Sequence, residues 1–347
     1  MSEQPTRHDA TDGAGNNTTV IDIHCHVGTP GCSDLVGDLY RTEYEPFDYF
    51  GGASTTYNQT HFASLAGKLT DPGERLAEMD RMGVDVQAIS VAPPQYYYWT
   101  EPDLGSRLSR MENEWIARLC AGHPDRLVGL GTVPLQDTDR ALAELDHISG
   151  QLRFAGIEIC TNVNGTDLDV ERLAPFWDAV ADLDLLVVLH PHGFTQGQRL
   201  GDYYLVNVIG NPLDSTVALS RLIYGGVLER HPDLKLCVVH GGGYLPFYAA
   251  RMDHAYQVRP EAREHIPAPP STYLQRVHFD TVVFDPSDIR RLIDNYGPDH
   301  VLLGTDYPYD MGETDPVGLV DRVPGLSAKE RDLIVGGNAA RLLRLDR

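Results

Sequence analysis

Short β-branched runs alternate with longer amphipathic runs eight times along this chain, and that rhythm constrains its fold more than any other feature. The apolar runs are Val20–His24, Val86–Val91, Leu127–Thr132, Phe154–Ile159, Leu185–His190, Lys235–His240, Val277–Asp280 and Val301–Asp306. Each has the length of a buried strand. Helical spacing fills the gaps at Glu74–Met82, Leu104–Ala121, Arg140–Ile148, Val170–Leu183, Ser215–Glu229, Leu245–Gln257 and Pro286–Asn295. Gly83 stops the first of these, and Asn338–Leu345 reads as a closing helix that Asn338 can cap. Strand then helix, repeated eight times, predicts an α/β protein of the (β/α)8 TIM barrel type. Such a barrel takes about 250 residues or more as one domain, so 347 residues do not call for two.

Three stretches break the rhythm. Residues 1–18 are polar, lack an apolar core and read as a disordered tail rather than a signal peptide. Residues 19–347 then form the barrel. Within it, residues 28–70 are rich in Gly, Tyr and Thr without a helical period. A loop that long is rare in a compact domain. It is expected to be a small insertion after strand one, with short strands, lying over the barrel mouth. Phe194–Asn211, after strand five, is expected to add a lid or contact surface.

Charge and cysteine content narrow the function. With 28 Lys+Arg against 50 Asp+Glu, the net charge is −22. That field repels polyanions and argues against nucleic acid or an anionic membrane as partner. No apolar run is long enough to span a bilayer. Five scattered cysteines without a C-x-x-C pair suit a reduced, cytoplasmic setting. A small anionic substrate remains compatible if local cations override the global field.

The chemistry gathers at strand ends. His24 and His26 flank Cys25, and residues i and i+2 of a strand share a face. His190, His240 and Asp306 close the fifth, sixth and eighth runs, and active sites of this fold lie at the C-terminal ends of its strands. Packed or surface histidines would scatter over helices and loops, as His123, His147, His231 and His300 do. Strand four holds Glu158 but no lysine, and Lys68, Lys235 and Lys329 all lie far from it. A bridging lysine for two metals is therefore missing, which favours one divalent ion on His24, His26, His190 and Asp306. Three nitrogens and a carboxylate suit Zn²⁺, with Mn²⁺ as another choice. His240 is then cast as the acid–base group; a ligand or supporting role is its alternative. Glu158 is expected to pack or to bond a loop, with a second metal as its other reading. Gly241–Gly243 reads as a tight turn, and Tyr96–Trp99 as either a pocket wall or loop packing. Asp280 is expected to bond His278 or lid groups.

These residues resemble the amidohydrolase-related, metal-dependent decarboxylases of the 2-amino-3-carboxymuconate-6-semialdehyde decarboxylase type. The matching segments are Val20–His26, Asp71-Pro72 with Glu78-Met79-Asp80, Arg126–Thr132 and His190-Pro191. They continue through His240–Gly243, Pro246-Phe247, Arg251, Arg259-Pro260 and Leu303–Pro308. The resemblance implies a barrel with a small inserted domain, Zn²⁺ on His24, His26, His190 and Asp306, and His240 as the proton-transfer residue. It also implies a homodimer in which Arg251 reaches the neighbouring active site and pairs with a substrate carboxylate. An ion pair with Asp253 is the alternative for Arg251. The pattern departs in three places where substrate is chosen, one of them the 28–70 insertion, which matches poorly throughout. Leu65-Ala66-Gly67-Lys68 stands where the family carries a substrate-binding arginine, and His192 replaces a tryptophan. His192 becomes a candidate substrate contact, as proton donor or polar lining.

The expected activity is non-oxidative decarboxylation of an unsaturated or aromatic carboxylic acid, of the aminocarboxymuconate-semialdehyde or hydroxybenzoate type. One Zn²⁺ per subunit would hold water or substrate, with His240 and Asp306 as the catalytic pair. Hydrolysis or hydration of an amide, lactone or enol acid is the alternative, since it needs the same metal and base.

Overall fold

The eight β-branched runs become the strands of one parallel sheet that curls back on itself. A computed structural model describes residues 18–39 and 51–345. The expected tail therefore lies outside the described residues, apart from Thr18. The strands are β1 (Ile21–Val27), β2 (Val86–Val91), β3 (Leu127–Gly131), β4 (Gly156–Cys160), β5 (Leu186–His190), β6 (Lys235–Val238), β7 (His278–Asp280) and β8 (Val301–Leu302). They lie side by side in chain order, as successive strand–helix units with right-handed crossovers require. The two edges meet where Ile23 N donates to Leu303 O at 3.0 Å and His26 N to Tyr307 O at 2.8 Å. The result is a nearly closed (β/α)8 barrel.

Two strands are shorter than expected. β6 stops at Val238 and β8 at Leu302, so His240 and Asp306 stand beyond the strands rather than at their last residues. Both adopt left-handed backbone, with φ of 54° and 58°. Non-glycine residues rarely do so, and such strain concentrates at functional sites.

β1 carries a bulge between Asp22 and Cys25 that adds one residue relative to β2. The in–out alternation slips there. Ile21 and Ile23 join an apolar cluster with Val86, Ala88, Leu130, Leu186, Val188, Cys237, Val239 and Leu302. Leu186 and Val188 share a face with His190, so this cluster is the floor beneath it. Past the bulge, His24 and His26 face the same space as His190. The whole strand is buried.

The 28–70 segment differs from expectation. Residues 40–50 lie outside the described set; of the rest, Cys32–Val36 and the 19-residue Gly52–Thr70 are helical, and no strand forms. The long helix escaped the periodicity because only Asn58 and Leu65 of it are buried. Thr55, Thr56 and Thr70 donate to carbonyls four residues earlier, which satisfies hydroxyls without an apolar stripe. Asn338 also departs from its expected role. Its side chain makes no cap and instead donates to the Pro298 and Val301 carbonyls, each at 2.8 Å, anchoring the approach to β8. Gly83 does stop its helix, in left-handed conformation.

Candidate metal centre and active site

His24, His26, His190, His240 and Asp306 come from four strand ends and meet in one small space. Ring centroids are 5.2 Å apart for His24–His26, 4.9 Å for His24–His190, 4.7 Å for His26–His190 and 5.2 Å for His190–His240. Asp306 stands between them. Its Oδ1 lies 3.2 Å from His26 Nε2 and 3.4 Å from His24 Nε2, and its Oδ2 lies 3.4 Å from His240 Nε2. One ligand atom each of His24, His190, His240 and Asp306 falls within 4.8 Å of all the others. By that measure His240 belongs with the ligands and His26 does not, the reverse of the expected division. Contacts made by the other ring nitrogens argue for keeping His26: its Nδ1 faces the Val91 carbonyl at 3.1 Å, which aims Nε2 at the centre.

The donor set fits a divalent cation. His24 Nε2, His26 Nε2, both nitrogens of His190, His240 Nδ1 and Asp306 Oδ1 are buried and without a hydrogen-bond partner. A buried polar atom left unmet costs about 1–3 kcal/mol, so six in one place would be a heavy burden unless a ligand meets them. His24 shows the pattern of a metal-binding imidazole most clearly. Its Nδ1 bonds Asp280 Oδ2 at 2.6 Å, leaving Nε2 for the centre.

Electrostatics point the same way. Burial opposes a charge on His24, but the Asp306 carboxylate and the bond to Asp280 outweigh it and raise its pKa well above the ordinary value. Burial likewise opposes charge on Asp306, yet the His24 charge and the close imidazoles of His24, His240 and His26 hold it well below the carboxylate range. Burial and the neighbouring histidines push His190 well down, so it stays neutral and able to ligate. The centre thus stabilises one positive charge beside Asp306, and metal ions displace protons from such groups.

Residues 21–345 match the family model described as Amidohydrolase. The chain is 34% identical over 329 residues to 2-amino-3-carboxymuconate-6-semialdehyde decarboxylase of Dictyostelium discoideum, covering 94% of this chain and 92% of that protein.

The chain belongs to the amidohydrolase family.

Among solved structures, 5-carboxyvanillate decarboxylase from Sphingomonas paucimobilis superposes with a TM-score of 0.83 at 26% identity, over 94% of this chain and 99% of that one. The same enzyme from Novosphingobium aromaticivorans, complexed with manganese and 4-hydroxy-3-methoxy-5-nitrobenzoic acid, shares the fold at a TM-score of 0.85 and 23% identity, over 98% and 100% of the two chains. The resemblance in the motifs therefore extends across the whole barrel.

Several supports of the centre were given no role from the sequence. Asp22 accepts from His24 N at 3.0 Å, Thr305 Oγ1 at 2.6 Å and Gln87 Nε2 at 2.9 Å, stapling β1 to the turn that presents Asp306. Arg75, buried, donates to Gln87 and to the His26 carbonyl and lies over the Tyr307 ring. Polar residues inside an otherwise apolar strand were the available signal for Asp22 and Gln87. Asp280 bonds His24 rather than His278, and its Oδ1 accepts from Gly241 N at 2.8 Å. One carboxylate thus orients a ligand and the turn bearing His240. That turn is tight as expected: Gly241, Gly242 and Gly243 all have positive φ, and a Cβ on Gly243 would meet Pro212 O at 2.3 Å. Glu158 accepts from Ser90 Oγ and Tyr96 Oη, both at 2.8 Å, which is the loop-bonding role expected of it. Tyr96–Trp99 are buried and also line a small cavity together with Asn162 and His192, so they serve both as packing and as a wall.

Above the centre lies a pocket whose lining includes Phe62, His190, His192, Asn207, Asp306 and Tyr309. His192 is where a substrate contact should be. Arg251 is exposed on the helix Ala250–Val258 and does not line its own subunit's pocket; the contact expected of it lies across a dimer. Nor does it pair with Asp253, whose Oδ1 accepts from Ser271 N. No lysine or arginine among the described residues lines the pocket.

Proposed function

We propose that this protein is a metal-dependent, non-oxidative decarboxylase of an aromatic or unsaturated carboxylic acid. The observation that carries it is the knot of buried, unpartnered imidazole nitrogens around Asp306, at the floor of a pocket, in a chain 34% identical to a decarboxylase over nearly its full length. His24, His26, His190 and Asp306 would hold one Zn²⁺ per subunit, with Mn²⁺ as the alternative ion. Bound there, the ion supplies Lewis-acid polarisation of a substrate oxygen.

The remaining work falls to side chains. His240 delivers a proton to the carbon that loses its carboxylate; the C–C bond breaks, its electron pair takes that proton, and CO₂ departs. Asp306 Oδ2, 3.4 Å from His240 Nε2, steers the imidazole. The strained φ of His240 aims it at the centre rather than along the strand. His192 contacts substrate from the pocket wall. Arg251, exposed and remote from its own pocket, acts across a homodimer and pairs with a substrate carboxylate, where a planar guanidinium gives geometry as well as charge. The partner is a small carboxylic acid, not nucleic acid or membrane: the net charge is −22, and no helix among the described residues is long and apolar enough to cross a bilayer. Five free cysteines suit the cytoplasm.

The test uses metal-stripped protein reconstituted with one equivalent of Zn²⁺ or Mn²⁺ and offered muconate semialdehydes, hydroxybenzoates and lactones. CO₂ release that depends on metal, and falls about 10²–10⁴-fold in His240→Gln, is expected. Product that gains water without CO₂ would replace this reading with hydration or hydrolysis. A strictly monomeric protein in solution would remove Arg251 from the site.

A further inference from the structure

The pocket that holds His190 and Asp306 also has a polar wall that the decarboxylation chemistry does not use. Tyr204 Oη donates to Asp310 Oδ1 at 3.2 Å, and His61 Nε2 stands 3.8 Å from the same oxygen, outside hydrogen-bond reach. Three segments converge there: the loop after β5 brings Tyr204, the stretch after Asp306 brings Asp310, and the helix Gly52–Thr70 brings His61. Tyr204 and Asp310 border two spaces at once. On one side is the pocket that contains His190 and Asp306. On the other is a surface groove with Tyr57, Asn58, Asp202 and Tyr203. The pair is therefore a partition between the reacting centre and solvent.

The charge at this partition has one sign. No lysine or arginine among the described residues lines either space, whereas Asp202 and Asp310 both do. The Asp310 side chain is 25% exposed, so solvent screens it only in part. Burial and then the Asp310 charge push the Tyr204 phenol up, which keeps its hydroxyl a donor to that carboxylate. Tyr204 occupies Oδ1, and no described side chain donates to Oδ2. A carboxylate only accepts hydrogen bonds, so the free oxygen asks the substrate for a donor.

We infer that Asp310 sets the specificity of this pocket: it selects acids whose end remote from the metal carries an amino or hydroxyl group, and disfavours those with a second carboxylate there. The inference rests on the decarboxylase reading for the direction in which substrate lies, with the departing carboxylate, the one that Arg251 would pair with, at the His190–Asp306 end. Within that frame it separates monocarboxylates bearing a remote donor from dicarboxylates. The physical basis is asymmetric. A donor gains a charge-assisted hydrogen bond, while a carboxylate gains none and meets like charge.

Equilibrium binding to the full-length, Zn²⁺-loaded protein tests this without needing turnover. The probes are 3-hydroxybenzoate, 3-aminobenzoate and benzene-1,3-dicarboxylate, alike except at the remote substituent. Wild type is expected to bind the first two about tenfold more tightly than the dicarboxylate. Asp310→Asn should bring all three within about twofold. Tyr204→Phe, which strips the carboxylate of its donor, should widen the gap instead. Those opposite shifts would not arise from a general loosening of the fold. Equal binding by wild type, or a gap that Asp310→Asn leaves unchanged, overturns the inference. CO₂ release is recorded in parallel from the substrate panel above. Release with an unmoved binding gap sinks the role of Asp310 alone, and a gap that moves as stated without CO₂ from any substrate sinks the decarboxylase reading alone.

Discussion

At His24 the two ring nitrogens have separate tasks: Nδ1 is held at 2.6 Å by Asp280, and Nε2 is left to the centre. The division makes Asp280 the residue most open to a clean test. Asp280→Asn keeps the shape but removes the charge that orients His24, and should weaken metal affinity about 10–100-fold in competition with a chelator. Unchanged affinity would mean that the bond is incidental. Asp214 offers a test by pH. Burial raises its carboxyl to about 6 against donors from Thr161 and Asn162 that lower it. Between about 4 and 6 the folded chain then binds more protons at this site than the unfolded chain. Its contribution to stability is largest below that window and falls as pH rises through it, by on the order of 2–3 kcal/mol. Urea unfolding from pH 4 to 8 should show this slope in the wild type and a flatter one in Asp214→Asn. Equal slopes would contradict it.

The helix Pro102–Gly122 carries a burden that the site does not explain. Glu112 within it is wholly buried, and neither carboxyl oxygen has a hydrogen-bond partner. Burial and then the nearby Glu144 charge push its pKa well up. An unmet buried acid of this kind is costly, so Glu112→Met should stabilise the fold by about 1–3 kcal/mol, read as a rise in thermal midpoint. A lower midpoint would show that the carboxyl has an undetected task. Elements were legible in the sequence to the extent that burial wrote a period into them. Strands β2 and β5 emerge within a residue of the expected bounds because both faces are covered. Gly52–Thr70 was illegible as a helix because a mostly solvated helix need not repeat an apolar stripe. The bulge in β1 left no mark either, although it decides that Ile23 and His24 share the barrel interior.

Taken whole, the molecule is an acidic barrel with a pocket to which the described residues present carboxylates and aromatic rings and no lysine or arginine. The residues that meet around Asp306 were readable because strand ends of this fold point at one place, so sequence position stands in for spatial position. Tyr204, Asn207 and Asp310 were not readable, because they ride on loops whose course no period records. If, as proposed, substrate choice lives on those loops and chemistry at the strand ends, the reaction class emerges from the sequence before the substrate does. The scarcity of lysine kept its meaning: β4 presents Glu158 engaged by Ser90 and Tyr96, not a bridging base. The central claim is that a proton takes the place of a carboxylate at carbon. Turnover of an accepted substrate in D₂O by the metal-reconstituted protein, followed by product mass and CO₂ yield, tests it most directly. One CO₂ per product molecule, with a single deuterium at the carbon that bore the carboxylate, is the predicted result. A product that retains its carboxylate and carries oxygen from water would contradict it.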